Sequence, residues 1–200
     1  MTQPDTPLKR TPLHAAHVRL GARMIPFGGW DMPVQYAGIV EEHRTVRSAV
    51  GCFDVSHMGE FEFRGSDALR ALQRLTTNDV SALEIGQVQY SLLCYEDGGI
   101  VDDLTLYRLT DDHYMMTVNA SNIDKDWAWV SRHLDSRVEA RNVSAETGVL
   151  SIRSVKEPSL APGALERIQS NSKKWGPSVM GKKPVSARVP SSRRTRPSTL

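Results

Sequence analysis

Gly98-Gly99-Ile100-Val101-Asp102-Asp103-Leu104 is the stretch that decides the fold. Two glycines tolerate positive φ and let the backbone reverse tightly. Apolar residues then open a strand, with two adjacent acids at its beginning. Neighbouring strand residues point to opposite faces. Asp103 therefore shares a face with Thr105 and Tyr107, and Asp102 shares one with Leu104 and Leu106. The first face reads as a polar, aromatic pocket wall and the second as core. Two readings of the acids stand at this point: a solvated pair beside a hairpin, or a carboxylate that holds or accepts a proton from a bound amine.

Outward from this turn the pattern is mixed. Val88 to Tyr95 reads as a strand with Val88, Tyr90, Leu92 and Cys94 on one face. Glu96-Asp97-Gly98-Gly99 joins it as a hairpin to the strand Val101 to Leu109. Tyr114 to Val118 is a third strand. Upstream, Phe61 and Phe63 alternate with Glu60, Glu62 and Arg64 as a half-buried strand. Ser66 is placed to cap a helix carrying Leu69, Leu72 and Leu75. Downstream, Ser121-Asn122-Ile123-Asp124 opens a helix with a capping-box pattern, whose buried stripe is Ile123, Trp127, Val130 and Leu134. Val138 to Val143 and Gly148 to Ile152 are closing strands. The order β-α-β-β-β-α-β predicts an α+β fold, an antiparallel sheet with flanking helices.

Nearer the N-terminus, residues 1–12 read as an arm and Leu13 to Leu20 as a short helix. Phe27-Gly28-Gly29-Trp30-Asp31-Met32-Pro33 reads as a loop. Residues 39–50 read as a helix with His43, Val46 and Val50 on one stripe and Gly51 as its stop.

The 200 residues carry a formal net charge of +2, which conceals two halves of opposite sign. Residues 1–150 hold 14 Lys and Arg against 21 Asp and Glu, whereas residues 151–200 hold 11 against 2. The tail also holds 6 of the 11 prolines and 10 serines. Leu160 to Ile168 has the makings of a turn or two of helix. Beyond Ser170 the hydrophobic period is gone, which favours disorder. Ser191-Ser192-Arg193-Arg194-Thr195-Arg196 reads as a solvated basic run without the folded frame of a specific nucleic-acid reader. The expected division is 1–152 as the folded part and 153–200 as a basic Ser/Pro-rich tail.

Several classes of chemistry find no pattern. There is no apolar run near the roughly 20 residues of a membrane span. The N-terminus lacks the apolar segment of a secretory signal. Neither common phosphate-cradling glycine loop is present, nor a nucleophile elbow. The six histidines at 14, 17, 43, 57, 113 and 133 do not form a metal motif. Cys52 and Cys94 lack CxxC spacing and read as buried free thiols in a reducing compartment, the cytoplasm. Asp54-Val55-Ser56-His57-Met58 packs an acid, a hydroxyl and an imidazole together. A catalytic triad is one reading. The other is a loop in which Asp54 and Ser56 bond neighbouring amides, His57 is buried and satisfied, and Met58 lines a site.

Six stretches occur in a fixed order: Thr11-Pro12-Leu13-His14, Gly28-Gly29-Trp30-Asp31-Met32-Pro33, Gly51-Cys52-Phe53-Asp54-Val55-Ser56-His57-Met58-Gly59-Glu60, Thr76-Thr77-Asn78-Asp79, Gly98 through Leu104, and Val118-Asn119-Ala120-Ser121-Asn122. Together they resemble the N-terminal part of the glycine cleavage T-protein family, the tetrahydrofolate-dependent aminomethyltransferases. The resemblance covers residues 11 to about 150. It implies transfer of a one-carbon unit from the aminomethyl-lipoyl arm of an H-protein partner to tetrahydrofolate, with release of ammonia. It implies that Asp103 is the functional aspartate beside the attacking folate nitrogen, and that Met58, Tyr90 and Asn119 line the folate cleft. The shared strand face adds Thr105 and Tyr107 to that cleft. Where the family continues with Gln-Gly-Pro, this sequence has Arg153-Ser154-Val155, and the family's later segments have no counterpart. The resemblance therefore implies a truncated chain with an unrelated tail. The alternatives to an active enzyme are an inactive fragment and a non-catalytic folate-binding scaffold.

From the composition, limited proteolysis should remove the segment beyond about residue 170 before it cuts the acidic part. A tail that resists protease as long as residues 1–150 would contradict the reading.

Overall fold

The computed structural model describes residues 7–134 and 137–154. The expected helix at 160–168 and the disordered tail lie outside the described residues. Its centre is a five-stranded antiparallel sheet built from β4 (Gly59–Arg64), β5 (Val88–Cys94), β6 (Ile100–Thr110), β7 (His113–Val118) and β8 (Glu139–Asn142). The strands lie in the order β5-β6-β7-β4-β8. The helices α3 (Ala68–Leu75) and α4 (Ile123–His133) follow β4 and β7 in the chain, so the expected β-α-β-β-β-α-β order is the observed one.

Alternation decides which side the helices cover. Phe61 and Phe63 of β4, Leu93 of β5, Leu104 and Leu106 of β6 and Tyr114, Met116 and Val118 of β7 form one cluster with Ala68 and Leu72 of α3 and Val130 of α4. Ala68 and Leu72 are four apart, so both fall on one helix face. Ile123, Trp127 and Leu134 of α4 pack against the same cluster, as their spacing predicts. The opposite sheet face carries Tyr90, Asp103, Thr105, Tyr107, Thr117, Glu60 and Glu62 and is not covered by those helices.

An N-terminal layer completes the described fold. It comprises α1 (His14–Arg19), a hairpin of β1 (Arg23–Phe27) and β2 (Trp30–Gln35), α2 (Ile39–Ser48), and a separate pair in which β3 (Val50–Asp54) runs antiparallel to β9 (Leu150–Ser154). His17 ties three of these pieces together. Its Nδ1 lies 2.6 Å from the Tyr36 hydroxyl and its Nε2 lies 2.9 Å from Asp54 Oδ2.

Several expectations need correction. Residues 27–33 are not a loop but the centre of the β1–β2 hairpin. Gly28 and Gly29 hold φ of +56° and +85° there, the two positive values that a tight hairpin turn demands. The helix expected over 39–50 ends at Ser48, and Gly51 lies inside β3 rather than at a helix stop. His43 and Val50 are exposed, so no buried stripe joins them. Neither helix cap forms as expected. Asp67, not Ser66, is the N-cap of α3 and makes no side-chain cap bond. A 3-10 turn at Ala120–Asn122 displaces the capping box before α4, and Asn122 makes no cap bond. Strand β4 is buried on both faces, not one, since Glu60 and Glu62 are buried along with the phenylalanines. Both cysteines are free, but Cys52 is exposed and Cys94 half-buried, because β3 belongs to the outer two-stranded pair.

Gly59 is the close-approach point of the sheet. A Cβ there would lie 2.6 Å from Ile123 Cγ1 and 2.7 Å from Val118 Cγ2. Gly59→Ala should therefore destabilise the chain by about 1–3 kcal/mol through overpacking. A lower urea midpoint at unchanged slope would show it; an unchanged midpoint would mean that α4 is not seated on β4.

Candidate functional site

The two acids of β6 leave the strand in opposite directions and meet again at one amide. Asp102 is buried on the core side with Leu104 and Leu106. Asp103 is half-buried on the open side with Thr105 and Tyr107. Asn119 follows the last residue of β7, and Leu104 pairs with Val118, which sets Asn119 opposite Asp103. Its Nδ2 donates to Asp102 Oδ1 at 3.0 Å and to Asp103 Oδ1 at 2.9 Å, and it lies 3.4 Å from the Asp103 carbonyl oxygen. With the amide turned over, its oxygen would face two carboxylates, so charge fixes the orientation.

Registry sets the rest of the open face in rows. Tyr90 pairs with Thr105, which pairs with Thr117, which pairs with Glu60. Val88 pairs with Tyr107, then Met115, then Glu62, then Arg141. Leu92 pairs with Asp103. Gly59 pairs with Val118, so Met58 and Asn119 lie at the same end of the sheet. The structure thus brings Tyr90, Asp103, Thr105, Tyr107 and Asn119 onto one face and places Met58 at its edge. Thr105 Oγ1 and the Tyr107 hydroxyl are 3.4 Å apart. Tyr90 is 60 % exposed. Some desolvation, then its interaction with the Asp103 carboxylate, raises its phenol above the ordinary value.

Two buried acids escaped the sequence reading. Glu60 is 1 % exposed and neither carboxyl oxygen has a hydrogen-bond partner among the described residues. Burial pushes it up to about 8. With Glu62, Tyr107, Thr117 and Arg141 it lines a cleft of ≈ 490 Å³. Alternation with Phe61 and Phe63 marks Glu60 only as facing away from the core; nothing local says that the other face is covered too. Asp126 of α4 is fully buried. In the sequence it reads as an acid favoured in the first turn of a helix. The signal that exposes it is its spacing, three after Ile123 and four before Val130, which sets it on the apolar stripe.

Burial works to raise Asp102, but hydrogen bonds from Asp126, Asn119 and Asn122 outweigh it and hold it below the usual carboxylate range. Asp126 moves the other way, up to about 7, first through burial and then through its hydrogen bond to Asp102 and the charge there.

The Asp54–His57 segment is a structural loop. The Ser56 amide donates to Asp54 Oδ1 at 3.0 Å. Ser56 Oγ accepts from the Val149 amide at 3.0 Å and lies 3.3 Å from the Val149 carbonyl, so it is occupied as a brace. The histidine on Asp54 is His17. His57 is not satisfied as expected: its buried Nδ1 has no partner among the described residues, and its ring instead stands edge-on to Phe27 with centroids 5.7 Å apart. Among the described residues no three His, Cys, Asp or Glu side chains gather as a metal site. No helix among them is long and apolar enough to cross a membrane.

Comparison with known proteins places the chain in a family. Residues 13–155 match the family model described as the GCVT N-terminal domain, and the chain belongs to that family. An aminomethyltransferase of Symbiobacterium thermophilum is 52 % identical over 153 residues, covering 74 % of this chain and 41 % of that protein. One from Deinococcus deserti is 62 % identical over 129 residues, covering 64 % and 36 %. The crystal structure of glycine cleavage system aminomethyltransferase T from Bartonella henselae superposes with a TM-score of 0.69 at 33 % identity, over 75 % of this chain and 42 % of that one. The chain thus spans about two fifths of the length of these relatives.

Glu60 generates a pH prediction. Its folded value, raised to about 8, lies above an unfolded value of about 4.3. The folded state then holds a proton that the unfolded state has lost, so stability falls as pH rises from about 4.3 to about 8. Glu60→Gln keeps the shape without the charge and should flatten that decline in the melting temperature. A variant whose pH profile parallels the parent's would contradict the assignment.

Proposed function

We propose that this chain supplies the folate-facing wall of an aminomethyltransferase of the glycine cleavage system, and that Asp103 is its catalytic residue. The observation that supports this most strongly is Asp103 itself. It is an acid on an open sheet face beside Tyr90, Thr105 and Tyr107, oriented by Asn119, in a chain of the GCVT family. The proposed substrates are tetrahydrofolate and an aminomethyl group on the lipoyl arm of an H-protein. The products are 5,10-methylene-tetrahydrofolate, ammonia and the reduced lipoyl arm. The proposed compartment is the cytoplasm.

The residues present suit such a ligand. Tetrahydrofolate has a planar pyrimidine ring fused to a reduced, puckered ring; it is rich in N–H donors and supplies the nucleophilic nitrogens that take up the one-carbon unit. Tyr90 and Tyr107 offer aromatic surface to a flat ring. The unpartnered Glu60 carboxyl lies in the neighbouring cleft, where N–H groups would satisfy it. Asp103 accepts a hydrogen bond from an attacking amine, orients it, and stabilises the positive charge that builds there. Asn119 holds the Asp103 carboxylate on the open face, and Met58 gives an adaptable apolar edge.

The division of the chain into a folate-binding part over 1–152 and a tail over 153–200 belongs to the same proposal. A folate-binding scaffold without chemistry has less support, because ligand binding alone does not require a carboxylate held by its own amide.

The test joins the family-matched residues of this chain to the remaining length of the Symbiobacterium thermophilum relative. Formation of methylene-tetrahydrofolate from an aminomethyl-lipoyl carrier protein is then measured. Asp103→Asn should lower turnover by about 10²-fold or more while changing folate affinity much less. Turnover equal to the parent's would refute the role of Asp103. Folate affinity lost together with turnover would assign Asp103 to binding rather than to chemistry, and no turnover in the joined parent would favour the scaffold.

A further inference from the structure

Three buried carboxyl oxygens behind the site, Asp102 Oδ2 and both oxygens of Asp126, have no hydrogen-bond donor among the other described residues, and the two side chains interact with each other. Two ionised carboxyls cannot face each other in a buried site without large cost, and one proton between them removes it. We infer that Asp126 and Asp102 form an acid–carboxylate pair, with the proton on Asp126, and that this pair is the positioning element that aims Asn119 at Asp103.

The contacts favour one assignment. Asn119 has two amide hydrogens, and the close acceptors are Asp102 Oδ1 and Asp103 Oδ1. Asp102 thus has a donor that neither oxygen of Asp126 has among the described residues; a donated hydrogen bond favours the charged form, so the charge sits on Asp102 and the proton on Asp126, with Asp102 Oδ2 left to accept it. The charged groups that bear on Asp126 are Asp102 across the sheet–helix interface and Lys125 on its own helix. Lys125 Nζ stands 3.6 Å from Asp126 Oδ1, but its side chain is 46 % exposed and it donates to the Val101 carbonyl. A half-solvated ammonium with its own acceptor is a weak counter-charge. Asp102 wins, and the shift of Asp126 to about 7 agrees.

The consequence is a relay of orientation, not of chemistry. The proton on Asp126 lets Asp102 stay anionic inside the core, anionic Asp102 holds one hydrogen of Asn119, and the other hydrogen is left for Asp103. Asp126 and Asp102 are thus positioning residues, and this role rests on the reading of Asp103 as the reacting carboxylate. The existence of the proton does not.

The test uses the 200-residue chain. At about pH 6 ordinary carboxylates are ionised, so infrared carbonyl bands of protonated carboxylic acids arise only from raised groups. Glu60 contributes one, so the experiment is done in Glu60→Gln. A single protonated-acid band is expected there, and it should vanish on adding Asp126→Asn. Persistence of the band overturns the inference. Asparagine at 126 donates to Asp102 Oδ2 in place of the proton. The side-chain NH₂ resonances of Asn119, assigned by their loss in Asn119→Ala, should therefore keep their shifts in Asp126→Asn. They should not keep them in Asp126→Leu, which fills the space without donating. Unchanged Asn119 signals in a folded Asp126→Leu also overturn it. If Asp126→Leu does not fold, the infrared arm decides alone. A lost band here, together with undiminished turnover of Asp103→Asn in the joined protein, would uphold the pair and reject the role of Asp103.

Discussion

One amide nitrogen holds together two carboxylates that a β-strand must send apart. Successive strand residues point to opposite faces, so Asp102 enters the core and Asp103 stands on the open face. Asn119 reaches both. The register of β6 and β7 brings it there, with Leu104 opposite Val118. A slip of one residue would exchange the two acids between core and open face. The apolar alternation of Leu104, Leu106, Met116 and Val118 against α3 and α4 guards against that slip, because it would also expose the core.

The sheet is two-sided in a way that composition hides. The helix face is apolar and closed. The other carries acids, tyrosines and threonines in cross-strand rows, with one carboxyl, Glu60, buried and without a partner. A polar group left in that state costs free energy. A fold tolerates such a cost where a ligand relieves it, which is why the proposed folate face and the unpartnered acid fit the same account.

Much of this was legible in the sequence. The β-α-β-β-β-α-β order, the hairpin at Gly98-Gly99 and the opposite facing of Asp102 and Asp103 follow from period-2 alternation and turn chemistry alone. The N-terminal hairpin is not legible in the sequence, because Gly28-Gly29 suits a loop as well as the tight turn that its two positive φ values make. The capping box at Ser121 failed because a 3-10 turn intervenes before the helix. Glu60 is not legible as a buried acid, because its neighbours in sequence place it only on the outer face of a strand, and tertiary packing alone shows that this face is dry. Asp126 has a signal in its spacing on the Ile123–Val130 stripe, masked by the preference of acids for a first helical turn.

The central claim is that the face of Asp103, and not the helix face, receives a folate. Titration of tetrahydrofolate into isotopically labelled chain, followed residue by residue through amide resonances, tests it most directly. The account predicts saturable shifts confined to Tyr90, Asp103, Thr105, Tyr107, Thr117 and Asn119 and their cleft neighbours. Shifts centred on α3 and the exposed side of α4, or none at any folate concentration, would contradict it.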